Sequence, residues 1–380
     1  MIKPKRVRIN RISAKPCPHS TIVTAFDAGL NDGDEKDKTF TNTSLSTVDK
    51  SVRYSLAAAG FISGHPTLIK SKFIRTTTTI YHLFICVMLT ANVFISMTIA
   101  WNKEEDKILY YMFLKLATLA FYTAMAFCGW ASFINCQRKR GFIEYYKQLD
   151  KVEKALPLIQ MRVRTRRIKK GCAFLAAIAW ILAFANIGIR IQDYFTHQKH
   201  DPISGHYLRH RVPTQEMFLG LQIFCSTSSM VVLLYWMMSA LQFLATSFVI
   251  LTLFEDFNNK VQQEVTTSSN AVLKNISNYR LVHLELCTLI SKANSHFSVI
   301  LGTKIGTGVV VLLLTLYMMS VAVSNPIASD LLIVFVYWIG AETTALTIII
   351  TMAHKVYKEV RLDSYLDISC KRFTQEYEAR

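Results

Sequence analysis

The chain alternates between long apolar stretches and shorter polar ones. Six apolar stretches each reach the length of about 20 residues that a helix needs to cross the ~30 Å hydrocarbon layer of a bilayer. They run over 76–101, 108–136, 171–192, 216–250, 300–324 and 328–352. The pattern predicts an all-α fold: a polytopic membrane helical bundle with six transmembrane helices.

Two of the polar stretches carry helical patterns of their own. After the second span, apolar residues recur at three- and four-residue steps from Phe142 to Leu156, and Pro157 ends the pattern. After the fourth span, which continues as helix past residue 250, a similar pattern starts at Leu273 and runs into the fifth span. We expect these helices to project into the cytoplasm and to pack their apolar faces in an intracellular bundle, either between subunits or between loops.

Lysine and arginine are sorted to one side of the six spans. The N-terminal stretch and the second loop hold 13 and 12 of the 43 basic residues, whereas the first and third loops hold 2 and 3. Basic residues mark the cytoplasmic side, next to anionic lipid. Both termini are therefore predicted to be cytoplasmic, opposite to the orientation of a G-protein-coupled receptor. Because the charge lies between apolar segments, the predicted partner is the lipid bilayer and not nucleic acid.

The first 55 residues differ from the rest of the chain. A basic run from Lys3 to Arg11 is followed by an acidic cluster from Asp32 to Asp37 and then by a Ser/Thr-rich stretch, with no apolar core of a signal peptide. We expect a disordered cytoplasmic tail over 1–55 and a membrane domain over 56–380.

Charge inside a predicted span is costly unless it meets water or a partner, and we single out three such charged residues. Lys115 and Arg190 lie near outer ends, so each could extend its side chain outward or line a pocket. Glu342 lies in the middle of the sixth span. It must pair, take up a proton or face a cavity, as a structural bond within the bundle or as part of an ion or ligand path.

Aromatic residues gather toward the outer side of the spans. They form either an interfacial belt with core packing or the walls of an outward-facing ligand pocket with a few polar anchors. On the second interpretation the candidate ligand-binding residues are Tyr111, Lys115, Trp180, Asn186, Gln222, Tyr317 and Glu342.

The sequence gives little support for a catalytic, cofactor or metal site. We find no Ser-His-Asp arrangement, no carboxylate pair and no Cys-x-x-Cys, so we predict no enzyme, no cofactor and no metal site. The third loop contains four histidines: His197, His200, His206 and His210. We interpret it as a solvated loop in preference to a zinc or pH-sensing site. Gly302, Gly306 and Gly308 do not match a phosphate loop and indicate close helix packing instead.

Several motifs resemble the insect gustatory receptor family. The Leu/His-rich stretch from Tyr279 to Phe297 is similar to the helix that enters the family's fifth span. Further likenesses are Glu342-Thr343-Thr344, Asp363 to Leu366, Phe373-Thr374-Gln375, Arg138-Lys139-Arg140 and Leu149-Asp150. The resemblance covers about residues 55–380 and makes 56–380 a chemoreceptor transmembrane domain. The insect odorant receptors share this architecture.

The resemblance implies a tastant-gated cation channel subunit in the plasma membrane of sensory neurons. It further implies a small-molecule tastant bound in the outer half of the bundle, and a homo- or hetero-tetramer with other chemoreceptor subunits. The stimulus stays open, with sugars, bitter compounds, carbon dioxide and warmth as the candidates.

One departure from the family concerns the C-terminal end of the chain. The family's seventh, pore-lining helix, with its Thr-Tyr pair, five apolar residues and Gln-Phe, has no counterpart before Arg380. The expectation is a receptor lacking its final helix, either a truncated form or a non-conducting partner subunit. A transporter is the remaining alternative, although we find neither internal repeat nor broken helices.

Overall fold

Eight α-helices make up almost all of the part of the chain that the computed structural model describes. The described residues are 45, 49–60, 72–100, 109–137, 142–196, 215–267, 269–323, 336 and 339–360. The helices are α1 (Lys50–Ala58), α2 (Lys72–Ala100), α3 (Leu109–Gln137), α4 (Phe142–Ala155), α5 (Thr165–Thr196), α6 (Gln215–Thr267), α7 (Ser269–Val323) and α8 (339–360). No strand occurs in these ranges, so the predicted all-α fold is confirmed.

Within the described residues, five helices are long and apolar enough to cross a membrane by length and composition. Their candidate spans are Lys72–Met97, Lys115–Gln137, Thr165–Ala185, Thr227–Thr267 and Asn275–Ser320. Each overlaps one of the first five predicted spans, with ends that differ by 1 to 11 residues apart from the long extensions of α6 and α7. The sixth predicted span, 328–352, lies partly outside the described residues, and its second half belongs to α8.

Helix α6 is the centre of the bundle. It packs along α5 and α7 and also contacts α2 and α3. In its most apolar stretch 72% is buried, compared with 28% in the most apolar stretch of α5 and 28% in that of α7. Tyr235 and Phe254, among the largest fully buried side chains, both project from it. The outer helices also pack on one another: α2 lies mainly against α3, and α3 lies also against α7.

Helix α4 fills the second polar stretch as its periodicity predicts. Glu144 in its first turn and Lys154 in its last turn carry the charges that a helix dipole favours at each end. A 3₁₀ turn, Leu156–Ile159, follows with Pro157 at its start and ends the helix. The apolar face of α4 packs on α7, where Gln148 bonds Glu285 and Lys292 bonds Glu144. Helices α6 and α7 thus continue beyond the apolar zone, and α4 packs on the extension of α7.

Helix α1 reaches into the bundle, and the boundary predicted at residue 55 falls inside it. The indole Nε1 of Trp180 donates to Ser55 Oγ at 3.0 Å, and the hydroxyl of Tyr81 donates to the carbonyl of Ala58 at 3.2 Å. Trp180 lies about four turns into α5. Most of the tail predicted over 1–55 lies outside the described residues.

Gly60 ends α1 where no other residue fits. Its φ of +70° is in the left-handed region that favours glycine at a helix C-terminus. A Cβ there would come within 2.7 Å of Ile85 Cγ1. The close contact between α1 and α2 therefore depends on this glycine.

A buried cluster fixes the start of α1 to α4 and α5. The Tyr146 hydroxyl donates to Asp49, whose carboxylate also pairs with Arg53 at 3.0 Å. The Arg53 guanidinium lies over the Tyr146 ring, 5.0 Å from its centroid. Tyr145 and Cys172 complete this Asp49 cluster, because Tyr145 packs edge-on against Tyr146 and Cys172 interacts electrostatically with Asp49.

Burial sets the protonation chemistry of the Asp49 cluster. It raises the pKa of Tyr146 well above 10.0, so the hydroxyl stays protonated and can donate. Burial also raises the pKa of Asp49 above 3.8, and the opposing influence of Arg53 and Tyr146 does not cancel it. An acid with a raised pKa stabilises the folded state at low pH and loses that contribution as the pH rises through the folded value.

The packing of α1 on α4 and α5 should therefore become more stable as the pH falls. We expect amide hydrogen exchange across Lys50–Ala58, corrected for intrinsic rates, to show greater protection as the pH is lowered from neutral toward the ordinary carboxyl pKa. Asp49→Asn, which cannot titrate, should remove this dependence. An equal pH dependence in wild type and Asp49→Asn would show that another group is responsible.

Candidate functional site

A lysine ammonium is held inside the membrane-spanning part of the bundle. Lys304 on α7 is 5% exposed. Its Nζ donates to the carbonyl of Trp236 at 2.7 Å and to Ser239 Oγ at 2.8 Å, and lies 5.0 Å from the centroid of the Trp236 ring. Two hydrogen bonds and an aromatic face replace the water that the cation loses. The sequence interpretation did not single out Lys304, although a basic residue within an apolar span is the signal that had singled out Lys115.

Glu342 supplies the opposite charge from a third helix. It lies on α8, is 5% exposed and interacts electrostatically with Lys304. A Cβ at Gly308, one turn from Lys304 on α7, would lie 3.3 Å from Glu342 Oε2. No salt bridge joins the two side chains, and the alternatives that the sequence left open for Glu342 stay predictions. Lys304, its two acceptors on α6 and the nearby Glu342 bring three helices together at one depth.

The three glycines of α7 have different surroundings. Gly308 abuts Glu342 and Leu346, which is the close helix packing expected from the sequence. A Cβ added at Gly302 or at Gly306 would meet no atom within 4 Å, so in this chain the packing expectation is wrong for these two glycines. Both lie on an open face of α7.

A second group of polar contacts lies nearer the predicted outer side. Ser228 Oγ on α6 donates to Asn92 Oδ1 on α2 at 2.8 Å. One residue on, Ser229 shares a 3.0 Å hydrogen bond with the Tyr122 hydroxyl of α3. These neutral pairs fix the register of three helices and place hydroxyl and amide groups in the bundle interior.

Two predicted ligand-binding residues lie at the same end of α3 and α7. Lys115 is 8% exposed, so its side chain faces the bundle and does not extend outward. Two residues before it, Phe113 packs against Tyr317 with ring centroids 4.6 Å apart. Tyr317 is 39% exposed. This end of the bundle therefore combines a buried cation with an accessible aromatic pair.

The structure does not gather the other predicted residues there. Trp180 lies against α1, where it bonds Ser55 and stacks on Phe184 at 5.4 Å, and Glu342 lies near Lys304. Tyr111, Asn186 and Gln222 lie in α3, α5 and α6, with side chains outside the described residues. The side chain of Arg190, in α5, and the four histidines of the third loop also lie outside them. Across the described residues, no group of three or more His, Cys, Asp and Glu side chains could hold a metal ion.

An apolar groove of about 430 Å³ runs between α3 and α7. Its walls carry no charged group, and Thr303, one of its three threonines, donates to the Val299 carbonyl at 2.8 Å. It is lined by Leu116, Leu119, Ala120, Thr123, Ala124, Phe127, Thr303 and Thr307. The groove has the size of a small-molecule site but offers few polar anchors.

Comparison with known proteins places this architecture in a family. A family model described as 7tm chemosensory receptor matches residues 52–364. The chain belongs to this family of chemosensory receptors. The resemblance based on the motifs is thereby confirmed at family level, and the family is one of receptors and not of enzymes.

A solved structure shows the same fold as this chemosensory receptor. The insect olfactory receptor OR5 from Machilis hrabei is 13% identical, with a TM-score of 0.53 over 82% of this chain and 83% of that chain. A search of curated proteins found no match.

The Lys304–Glu342 pair can be tested with a double-mutant cycle. Lys304→Met should destabilise the receptor by roughly 1–3 kcal/mol, because it removes the donor of two buried hydrogen bonds, and Glu342→Gln should destabilise it less, because it breaks no salt bridge. The double variant should lose clearly less than the sum of the two. Thermal unfolding of detergent-purified protein measures the three changes, and additive losses would show that the two charges are not coupled.

Proposed function

We propose that this chain is a gustatory receptor subunit: part of a tastant-gated cation channel in the plasma membrane of sensory neurons. Membership of the chemosensory receptor family carries the proposal. The subunit binds a small molecule and works in a homo- or hetero-tetramer with other chemoreceptor subunits. The motif resemblance supports the gustatory branch, while the olfactory receptor among the solved structures makes an odorant receptor the second candidate.

The ligand site that we propose is the predicted outer end of α3 and α7. Lys115 offers a buried cation, and the Phe113–Tyr317 pair offers an aromatic wall. A hydroxyl or carboxylate group of a tastant would accept a hydrogen bond from Lys115. The Phe113–Tyr317 pair is a second candidate contact on a different face of α3, because Phe113 and Lys115 are two residues apart. A ligand shifts a receptor toward its open state only if it binds that state more tightly. Lys115 can provide this difference in affinity between the two states, because the strength of a hydrogen bond from a buried charge depends on the groups around it.

The branch can be decided by expression of the chain in oocytes, alone and with a second chemoreceptor subunit. We expect currents in response to sucrose or quinine, and none to 1-octanol. A response to 1-octanol alone would support the odorant receptor. Currents that require the second subunit and keep its ion selectivity would indicate a non-conducting partner. Electrogenic uptake of the compound without channel openings would indicate a transporter.

Lys115→Met should raise the half-maximal concentration of the activating compound. Loss of one charge-assisted hydrogen bond corresponds to a shift on the order of tenfold to a hundredfold. Lys151→Met, which removes an exposed lysine of α4, is the matched control and should leave the dose–response curve unchanged. Equal curves for Lys115→Met and wild type, with equal surface expression, would place the site elsewhere.

A further inference from the structure

A thiol and an imidazole are paired on the extension of α7. Cys287 Sγ lies 3.4 Å from His283 Nε2, which is within hydrogen-bond distance for sulfur. The two residues are four apart, so they project from the same face of the helix. A nucleophile with a base in hydrogen-bond reach is the arrangement that activates cysteine for covalent chemistry.

The imidazole of this pair is held by α6. The His283 ring stacks on the Phe257 ring, with centroids 6.0 Å apart and an angle of 23° between the planes. Phe257 is buried and also packs against Tyr279, one turn before His283 on α7. Stacking uses the face of the imidazole, so Nε2 on its edge can point at Cys287. A third group therefore orients the base toward the thiol.

Accessibility distinguishes Cys287 from the other cysteines of the described part of the chain. Cys287 is partly exposed, whereas four are buried: Cys86, Cys128, Cys136 and Cys172. A buried cysteine behaves as a small apolar residue. A reactive cysteine must be reached by its reagent and must form a thiolate. Among the described cysteines, Cys287 combines access with a neighbouring base.

The charged groups nearest to Cys287 along α7 are compatible with a thiolate. Glu285, two residues before it, faces α4, where its carboxylate accepts a hydrogen bond from Gln148. Arg280 is exposed and lies two turns before Cys287 on the same face of the helix. Reactive cysteines are found in partly exposed, electropositive surroundings, and this surface has both properties.

We infer that Cys287, activated by His283, is a covalent modification site for soft electrophiles of the α,β-unsaturated carbonyl class. His283 Nε2 takes the thiol proton, and Cys287 Sγ bonds to the β-carbon while the carbon–carbon double bond becomes a single bond. The proton then passes from His283 to the α-carbon. The addition has no leaving group and needs no oxidant.

This site is separate from the proposed tastant site. Cys287 and Tyr317 are 30 residues apart on α7, which corresponds to about 45 Å along a helix. The inference therefore does not rest on the proposed gustatory function. An adduct on Cys287 would add bulk beside the stacked rings of His283 and Phe257, where α7 meets α6.

The test measures alkylation of the detergent-purified receptor by N-ethylmaleimide at neutral pH. Peptide mass spectrometry over a time course gives the rate at each cysteine separately. His283→Phe keeps an aromatic ring against Phe257 and removes the base. His354→Phe on α8 is the matched control, because it makes the same change at an exposed histidine.

Cys287 should react on the order of a hundredfold more slowly in His283→Phe than in wild type, the lower end of what a positioned base contributes. Its rate in His354→Phe should equal the wild-type rate. Equal rates in wild type and His283→Phe would overturn the inference.

If His283→Phe does not fold, the wild-type protein decides. Cys287 should then react faster in the folded receptor than after unfolding in guanidinium, where the thiol is fully accessible but has no paired base. A slower reaction in the folded receptor would mean that burial outweighs activation, and the inference would be wrong.

Discussion

An ammonium group inside hydrocarbon must exchange its water for protein partners at the same depth, and the arrangement of α6, α7 and α8 satisfies this requirement at Lys304. The Trp236 carbonyl and the Ser239 hydroxyl come from α6, and the opposing carboxylate of Glu342 comes from α8. A buried charge without partners costs several kcal/mol. Any rotation of α7 that moved Lys304 away from α6 would incur that cost, so the register of the central helices is fixed at this point.

Polar contacts recur along α6 at other depths. Ser228 and Ser229 bind α2 and α3, Gln242 lies 3.3 Å from His296 of α7, and Asp256 binds Arg164 at the start of α5. Apolar packing alone would allow a helix in a bilayer to rotate or slide, because lipid tails are as apolar as leucine side chains. The spaced polar pairs remove that freedom and leave α6 as the axis on which the other helices are placed.

The helices could be predicted from the sequence because length and periodicity are local properties. Six long apolar stretches and the three- and four-residue steps before Pro157 are enough to place α2 to α7. What could not be predicted is which side of a helix meets which neighbour. Trp180 is a residue type that is common in pocket walls, yet its indole is hydrogen-bonded to Ser55, 125 residues earlier in the chain. Helix α1 has only nine residues, and its burial depends on Tyr146, Trp180 and Tyr81, which no local pattern connects to it. Lys304 and Glu342 each carried a visible signal, but only the fold shows that they lie near each other.

The lengths of α6 and α7 have a mechanical consequence. At 1.5 Å per residue, the 53 and 55 residues of these helices correspond to rods of about 80 Å, of which the hydrocarbon layer takes about 30 Å. Two such rods, fastened together at Lys304, behave as one lever with its fulcrum inside the membrane. A tilt of about 5° at that fulcrum displaces the far end by about 4 Å, close to the rise of a helical turn. A small tilt of α6 and α7 caused by a molecule bound on one side of the bilayer would therefore produce, on the other side, a displacement large enough to repack α4.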